Sequence, residues 1–190
     1  MIKEFNKTAV HIKAITSLKY IFEEHIMEYN IQIAGFRSNI NDFKKLMDNI
    51  NKISKNCTVQ LLNADGIAGK EHALHAAVHA VKAFERNENI AKDLGLEICV
   101  RASAQRQISK ALSILGLKEG KMNICAVAVD CSENIMEKME TVLDKRDDST
   151  LNPDETLLKG IYDISEGEIK TAGGISSLMI EKTTLLILET

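Results

Sequence analysis

Residues 9–15 alternate apolar and polar side chains, the period of a half-buried strand. Residues 18–29 then place Leu18, Ile21, Phe22 and Ile26 at helical spacing behind a Thr16 cap. A short strand at 31–34 follows. Behind Ser38 or Asn39 as cap, Ile40, Phe43, Leu46, Met47 and Ile50 predict a second amphipathic helix, and residues 58–62 predict a strand leading into a long helix over 69–86. Residues 96–102 alternate like a strand, after which Ser103 is placed to cap a helix over 105–115 that stops at Gly116. The almost unbroken apolar run 122–129 reads as a central strand covered on both faces.

Helical patterning takes over from there. Ser132 opens a run to about residue 145, and the polar tract 144–150 has the composition of a linker. Asn152, Pro153 and Glu155 stand in the order of a cap, a proline at the first helical position and an early carboxylate, while Ser165 and Glu168 have capping-box spacing. Two short helices and a final one are expected. The pattern predicts an α/β fold, a mixed sheet flanked by helices, with an α-helical C-terminal lobe: residues 1–150 form the core and 151–190 a lobe packed on it as one structural domain.

Composition narrows the function classes. The chain has 190 residues, 45% of them hydrophobic and 27% charged, enough to bury a core. No apolar run approaches the ~18 to 20 residues that span a bilayer, and the first residues lack a signal-peptide core, so a cytoplasmic protein with no membrane partner is expected. Cys57, Cys99, Cys125 and Cys131 show no C-x-x-C spacing and lie mostly in apolar runs, where reduced cysteine acts as a small hydrophobe; disulfide or metal use is the alternative. A net charge of -3 argues against coating nucleic acid by bulk electrostatics, and 4% aromatic content leaves few stacking platforms. Any RNA site must be a local patch.

Two segments could carry one. On the long helix, His72, His75, His79, Lys82 and Arg86 fall into one stripe, with Leu74, Val78, Val81 and Phe84 opposite and facing the core. This stripe is read as a solvated basic ridge, an anion or RNA surface, or, using His72, His75 and His79, a metal site for a small metal-dependent enzyme. The turn 102–107 is predicted to deliver a strand to a helix N-terminus, whose free N–H groups would face an anion flanked by Arg101, Arg106 and Lys110. Signatures of catalysis are missing: neither Gly66 and Gly69 nor Gly173 and Gly174 belong to a phosphate loop or a dinucleotide fingerprint, and no nucleophile is set beside a base. In the tail, Ile175, Leu178, Met179, Leu185 and Leu186 share a helical face that either packs on the core or docks a partner.

The segment 101–109 (RASAQRQIS), with 68–72 (AGKEH) and Ala83-Phe84, resembles the small non-kinase subunit of the KEOPS (EKC) complex, the TPRKB family of animals. The likeness runs best over 57–129 and returns in 177–189. Ala104 stands where that family often has Gly, and Asn87 where Gly is usual after the long helix. The resemblance implies a non-catalytic regulatory subunit that binds the kinase-like ATPase of a tRNA threonylcarbamoyladenosine-modifying complex and the 3′ CCA end of tRNA. It implies no cofactor and no requirement for DNA. The expected RNA contacts are Lys70, His72, Arg86, Arg101, Ser103, Gln105, Arg106 and Gln107. Ile175, Leu178, Met179 and Leu186 are the expected contacts to the ATPase.

Overall fold

The apolar run in the middle of the chain forms β3 (Gly120–Val129), which pairs with a neighbour on each side. The computed structural model describes residues 29–186, so the strand predicted over 9–15 and all but the last residue of the helix predicted over 18–29 lie outside the described residues. Within them, β1 (Ile31–Ile40) and β2 (Thr58–Asn63) flank β3, and the short β4 (Lys145–Arg146) closes the other side of β1, giving the order β2-β3-β1-β4. The described pairings are all antiparallel. The α/β class and the helical C-terminal region are those expected from the sequence.

Each face of the sheet has its own cover. Ala34, Phe36, Ile40, Ile124, Ala126 and Ala128 pack with Leu46 and Ile50 of α1 (Phe43–Ile53) and with Ile135, Met139 and Leu143 of α5 (Ile135–Leu143). On the other side lies α2 (Lys70–Arg86), in contact with β1 and β3. Its buried residues include Ala73, Ala76, Ala77, Ala80 and Ala83, small side chains that let the backbone approach its neighbours closely. Gly69, at φ 102°, turns the chain into α2, and Asn87, at φ 57°, ends it in the left-handed conformation that Asn tolerates.

Several predicted elements differ. Residues 38–40 belong to β1, which runs on past residue 34 as one ten-residue strand, and the cap of α1 is Asp42, whose side chain accepts from the Lys45 N–H. Residues 96–102 are helical: α3 (Leu94–Ala102) starts at Asp93, which accepts from the Leu96 N–H at 2.9 Å. Residues 97–103 are all buried, so the amphipathic period that would have marked a helix is absent. Gly95 lets α3 lie against β2, since a Cβ there would stand 2.8 Å from Gln60 Oε1. The next helix, α4 (Ile108–Leu115), begins three residues later than expected.

The tract read as a linker, 144–150, is the ordered rim of the sheet. The Asp147 N–H donates to Gly35 O at 2.8 Å, the Gly35 N–H donates to Asp148 Oδ1 at 2.8 Å, and Arg37 Nε pairs with Asp147 at 2.7 Å. A Cβ on Gly35 would lie 2.3 Å from Thr150 Oγ1, so only glycine fits. The C-terminal helices are α6 (Glu155–Tyr162), α7 (Glu166–Ala172) and α8 (Ile175–Leu185). Asp154 rather than Asn152 caps α6, and Ser165 with Glu168 forms the capping box. Leu158, Ile164, Ile169, Ile175, Leu178 and Met179 form a core with Ala68, and α8 packs along α2.

Cys57 and Cys131 are joined by a disulfide, which overturns the expectation of four reduced cysteines. The pairing spans 74 residues of sequence, so no local spacing could announce it. Cys99 and Cys125 are buried free thiols.

Candidate functional site

The predicted RNA residues separate into a buried frame and an exposed turn. Glu97 and Arg101, one helical turn apart on α3, form an ion pair at 2.8 Å in which both side chains are almost fully buried. The second oxygen of Glu97 accepts from the Ile90 and Ala91 N–H groups at 2.8 and 2.7 Å, so one carboxylate ties the loop after α2 to α3. Arg101 is therefore committed to its own helix and is not available as a free cation. Ser103 is also fully buried, and its hydroxyl donates to Val100 O at 2.9 Å.

His72 completes the frame. It is fully buried, and its Nδ1 accepts from the Ala68 N–H at 3.0 Å, which places the ring hydrogen on Nε2, 3.4 Å from Thr183 Oγ1. The Thr183 hydroxyl in turn donates to Arg101 O at 3.1 Å. A second bond of the same kind joins His75 Nε2 and Thr184 Oγ1 at 2.8 Å. The two pairs fix α8 on α2 and bring α8 to the C-terminal end of α3. Thr183 and Glu97 were not singled out from the sequence; the i, i+4 spacing of Glu97 and Arg101 was the available signal, but it carries weight only on a helix.

The histidines do not form a basic ridge. Burial, and then the neighbouring His75, depress His72 to about 3. Burial and Lys82 lower His75 to about 4, and burial, His75, Arg101, Lys82 and Arg86 lower His79 to about 3. All three are neutral near pH 7. The metal alternative also loses its geometry, because both ring nitrogens of His72 face protein partners in the interior while the rings of His75 and His79 lie tilted against each other, with centroids 4.2 Å apart, on the half-buried side. Of the residues expected to face the core, Val78 and Val81 are buried, while Leu74 and Phe84 are half-buried.

The turn itself has the opposite polarity to the one expected. Residues 102–105 are the C-terminal end of α3: Ala104 sits at φ 51°, its N–H donates to Arg101 O, and the Gln105 N–H reaches back to Val100 O. The free N–H groups belong instead to α4, where Gln107 is the cap and makes no side-chain cap bond. Arg106, Gln107 and Lys110 are exposed there, beside half-buried Gln105. Lys70 and Arg86 are exposed at opposite ends of α2, about 24 Å apart at 1.5 Å per residue, so they cannot both belong to one compact patch. Ile175, Leu178, Met179 and Leu186 are all buried, with α8 presenting Leu185 at 45% exposure instead. On α6, Leu157 is 41% exposed and lines a shallow hollow with Asp154, Thr156, Gly160 and Ile161.

Fold and site together define an α/β protein in which an exposed polar turn is held from beneath by a buried hydrogen-bonded frame. Residues 37–186 match the family model of the kinase binding protein CGI-121, which covers most of the chain. The regulatory protein Cgi121 of Methanocaldococcus jannaschii is 37% identical over 130 residues, covering 68% of this chain and 83% of that protein. The chain belongs to the CGI-121 family of kinase-binding proteins. A biotin synthase of Caldicellulosiruptor bescii is 24% identical over 193 residues; the alignment covers 97% of this chain and 56% of that protein, and the likeness carries no activity here. No helix among the described residues is long and apolar enough to cross a membrane.

Proposed function

We propose that this chain is a non-catalytic regulatory subunit of a KEOPS-type complex that modifies tRNA in the cytoplasm, where it binds the kinase-like ATPase and helps hold the 3′ CCA end of tRNA. The observation that carries the reading is the kinase-binding family match over residues 37–186, which takes in the frame, the turn and all three C-terminal helices. Leu157 and Leu185 supply exposed apolar anchors for the ATPase, while Ile175, Leu178, Met179 and Leu186 hold their helices in place from the interior. Arg106, Gln105 and Gln107 supply the RNA contacts, with Lys110 adding charge in the first turn of α4. His72, Arg101 and Ser103 act on RNA only by shaping the turn. A modest intrinsic affinity suffices, because tethering to other RNA-binding subunits raises the effective concentration.

Mixing the purified chain with the purified kinase-like ATPase tests the proposal. Co-elution, together with a changed rate of ATP hydrolysis and no hydrolysis by the chain alone, is the expected result. Separate elution with an unchanged rate would refute it.

A further inference from the structure

The four cysteines are of two chemical kinds. Cys99 and Cys125 are buried free thiols, pushed up to about 12 by that burial, and neither is bonded to another cysteine. Cys57 and Cys131 are bonded, with Cα atoms 5.0 Å apart. They lie just beyond the end of the β2–β3 ladder, whose last pair is Thr58 with Val129, so the strand pairing does not depend on the bond. Cys131 is 4% exposed and belongs to the apolar cluster containing Ile135 and Met136. Cys57 is half-buried and follows the exposed Lys55 and Asn56. Cys57 is thus the more exposed residue of the bonded pair, and Cys131 lies in the apolar interior.

We propose that Cys57 and Cys131 are a thiol–disulfide exchange site that takes a low-molecular-weight disulfide such as oxidised glutathione, and that its closure sets the stability of the chain. The Cys57 thiolate attacks the external disulfide, forming a mixed disulfide and releasing one thiol. The Cys131 thiolate then displaces the second thiol, so the two protein thiols are oxidised and one external disulfide is reduced to two thiols, which take up the two protons. A dithiol reductant runs the sequence backward. The closed loop contains β2, α2, α3, α4 and β3, and a cross-link over 74 residues is at the long end of the range in which closure restricts the unfolded chain. Exposed disulfides are the more labile ones, so a bond with one half-buried cysteine has the character of a condition-dependent staple. This inference rests on neither the kinase nor the RNA reading.

The test uses the full chain incubated either with oxidised glutathione or with dithiothreitol, then desalted, alkylated and mapped by mass spectrometry without reduction, alongside thermal unfolding followed by circular dichroism. The oxidised sample should yield the linked Cys57 and Cys131 peptides and a midpoint higher by roughly 10 °C. Cys57→Ser should give the lower midpoint in both treatments, whereas Cys99→Ala should keep the redox-dependent shift. Alkylated Cys57 and Cys131 after glutathione treatment, or wild-type midpoints within about 2 °C of each other, would overturn the proposal. The wild-type comparison decides the matter even if a variant does not fold.

Discussion

Replacing Glu97 by Ala removes the acceptor on which three donors converge. The buried Arg101 guanidinium loses its charge partner, and the Ile90 and Ala91 N–H groups lose theirs. Breaking a buried pair from one side costs about 3 to 5 kcal/mol, and an orphaned buried N–H costs about 1 to 3 kcal/mol. Ile90 is half-buried and can recruit water, so the N–H penalty falls mainly on Ala91, which is 1% exposed. The terms overlap, and a total of about 4 to 6 kcal/mol is expected, a large part of the ~5 to 15 kcal/mol that holds a domain folded. Urea unfolding followed by circular dichroism measures it. The double variant Glu97→Ala with Arg101→Met removes the stranded charge but not the orphaned N–H groups, so it should be more stable than Glu97→Ala alone while remaining below wild type. A loss under about 1 kcal/mol for Glu97→Ala, or a double variant less stable than Glu97→Ala, would refute the account of this frame.

Ala104→Gly should raise stability by about 0.5 to 1 kcal/mol, because alanine is strained at φ 51° by more than glycine's extra unfolded-state freedom costs; a lower urea midpoint would contradict this. The depressed pKa values of His72, His75 and His79 mean that the unfolded chain takes up protons first as pH falls below 6.5. Their stabilisation is complete above that value and is lost toward the folded values of about 3 to 4, with His72 alone costing about 2 kcal/mol by pH 5. A thermal midpoint unchanged between pH 7 and pH 5 would be inconsistent with that burial. Arg106→Ala should weaken tRNA binding about tenfold at fixed low salt, since one charge-assisted contact contributes ~1.5 to 3 kcal/mol, and removing the terminal CCA should produce a loss that does not add to it. Fluorescence anisotropy with labelled tRNA reads both, and unchanged affinity after both changes would remove RNA from the proposed function.

What the sequence disclosed follows from which interactions are local. The capping box at Ser165 and Glu168, the left-handed Asn87 and the apolar run of β3 were legible because each is set by residues a few positions apart. The helix α3 was not, since burial on all sides erased its period and left an alternation resembling a strand. Read as a strand, residues 96–102 make Ser103 an N-cap, give the turn the opposite polarity and leave Arg101 free, whereas the helix reverses all three. The rim at 144–150 reads as a linker because its order comes from Gly35 and Arg37, more than a hundred residues away. The disulfide and the His72–Thr183 contact are long-range in the same way.

The central claim is that this subunit holds a kinase-like ATPase through exposed apolar side chains near its C-terminal helices. Titration of the purified ATPase with wild-type chain and with Leu157→Arg, each confirmed as folded, tests it most directly. The account predicts saturable wild-type binding and at least a tenfold weaker affinity for the variant, because an arginine pressed into an apolar contact without a partner costs more than about 1.4 kcal/mol. Equal affinities would move the docking surface away from α6, and absence of wild-type binding would contradict the claim itself.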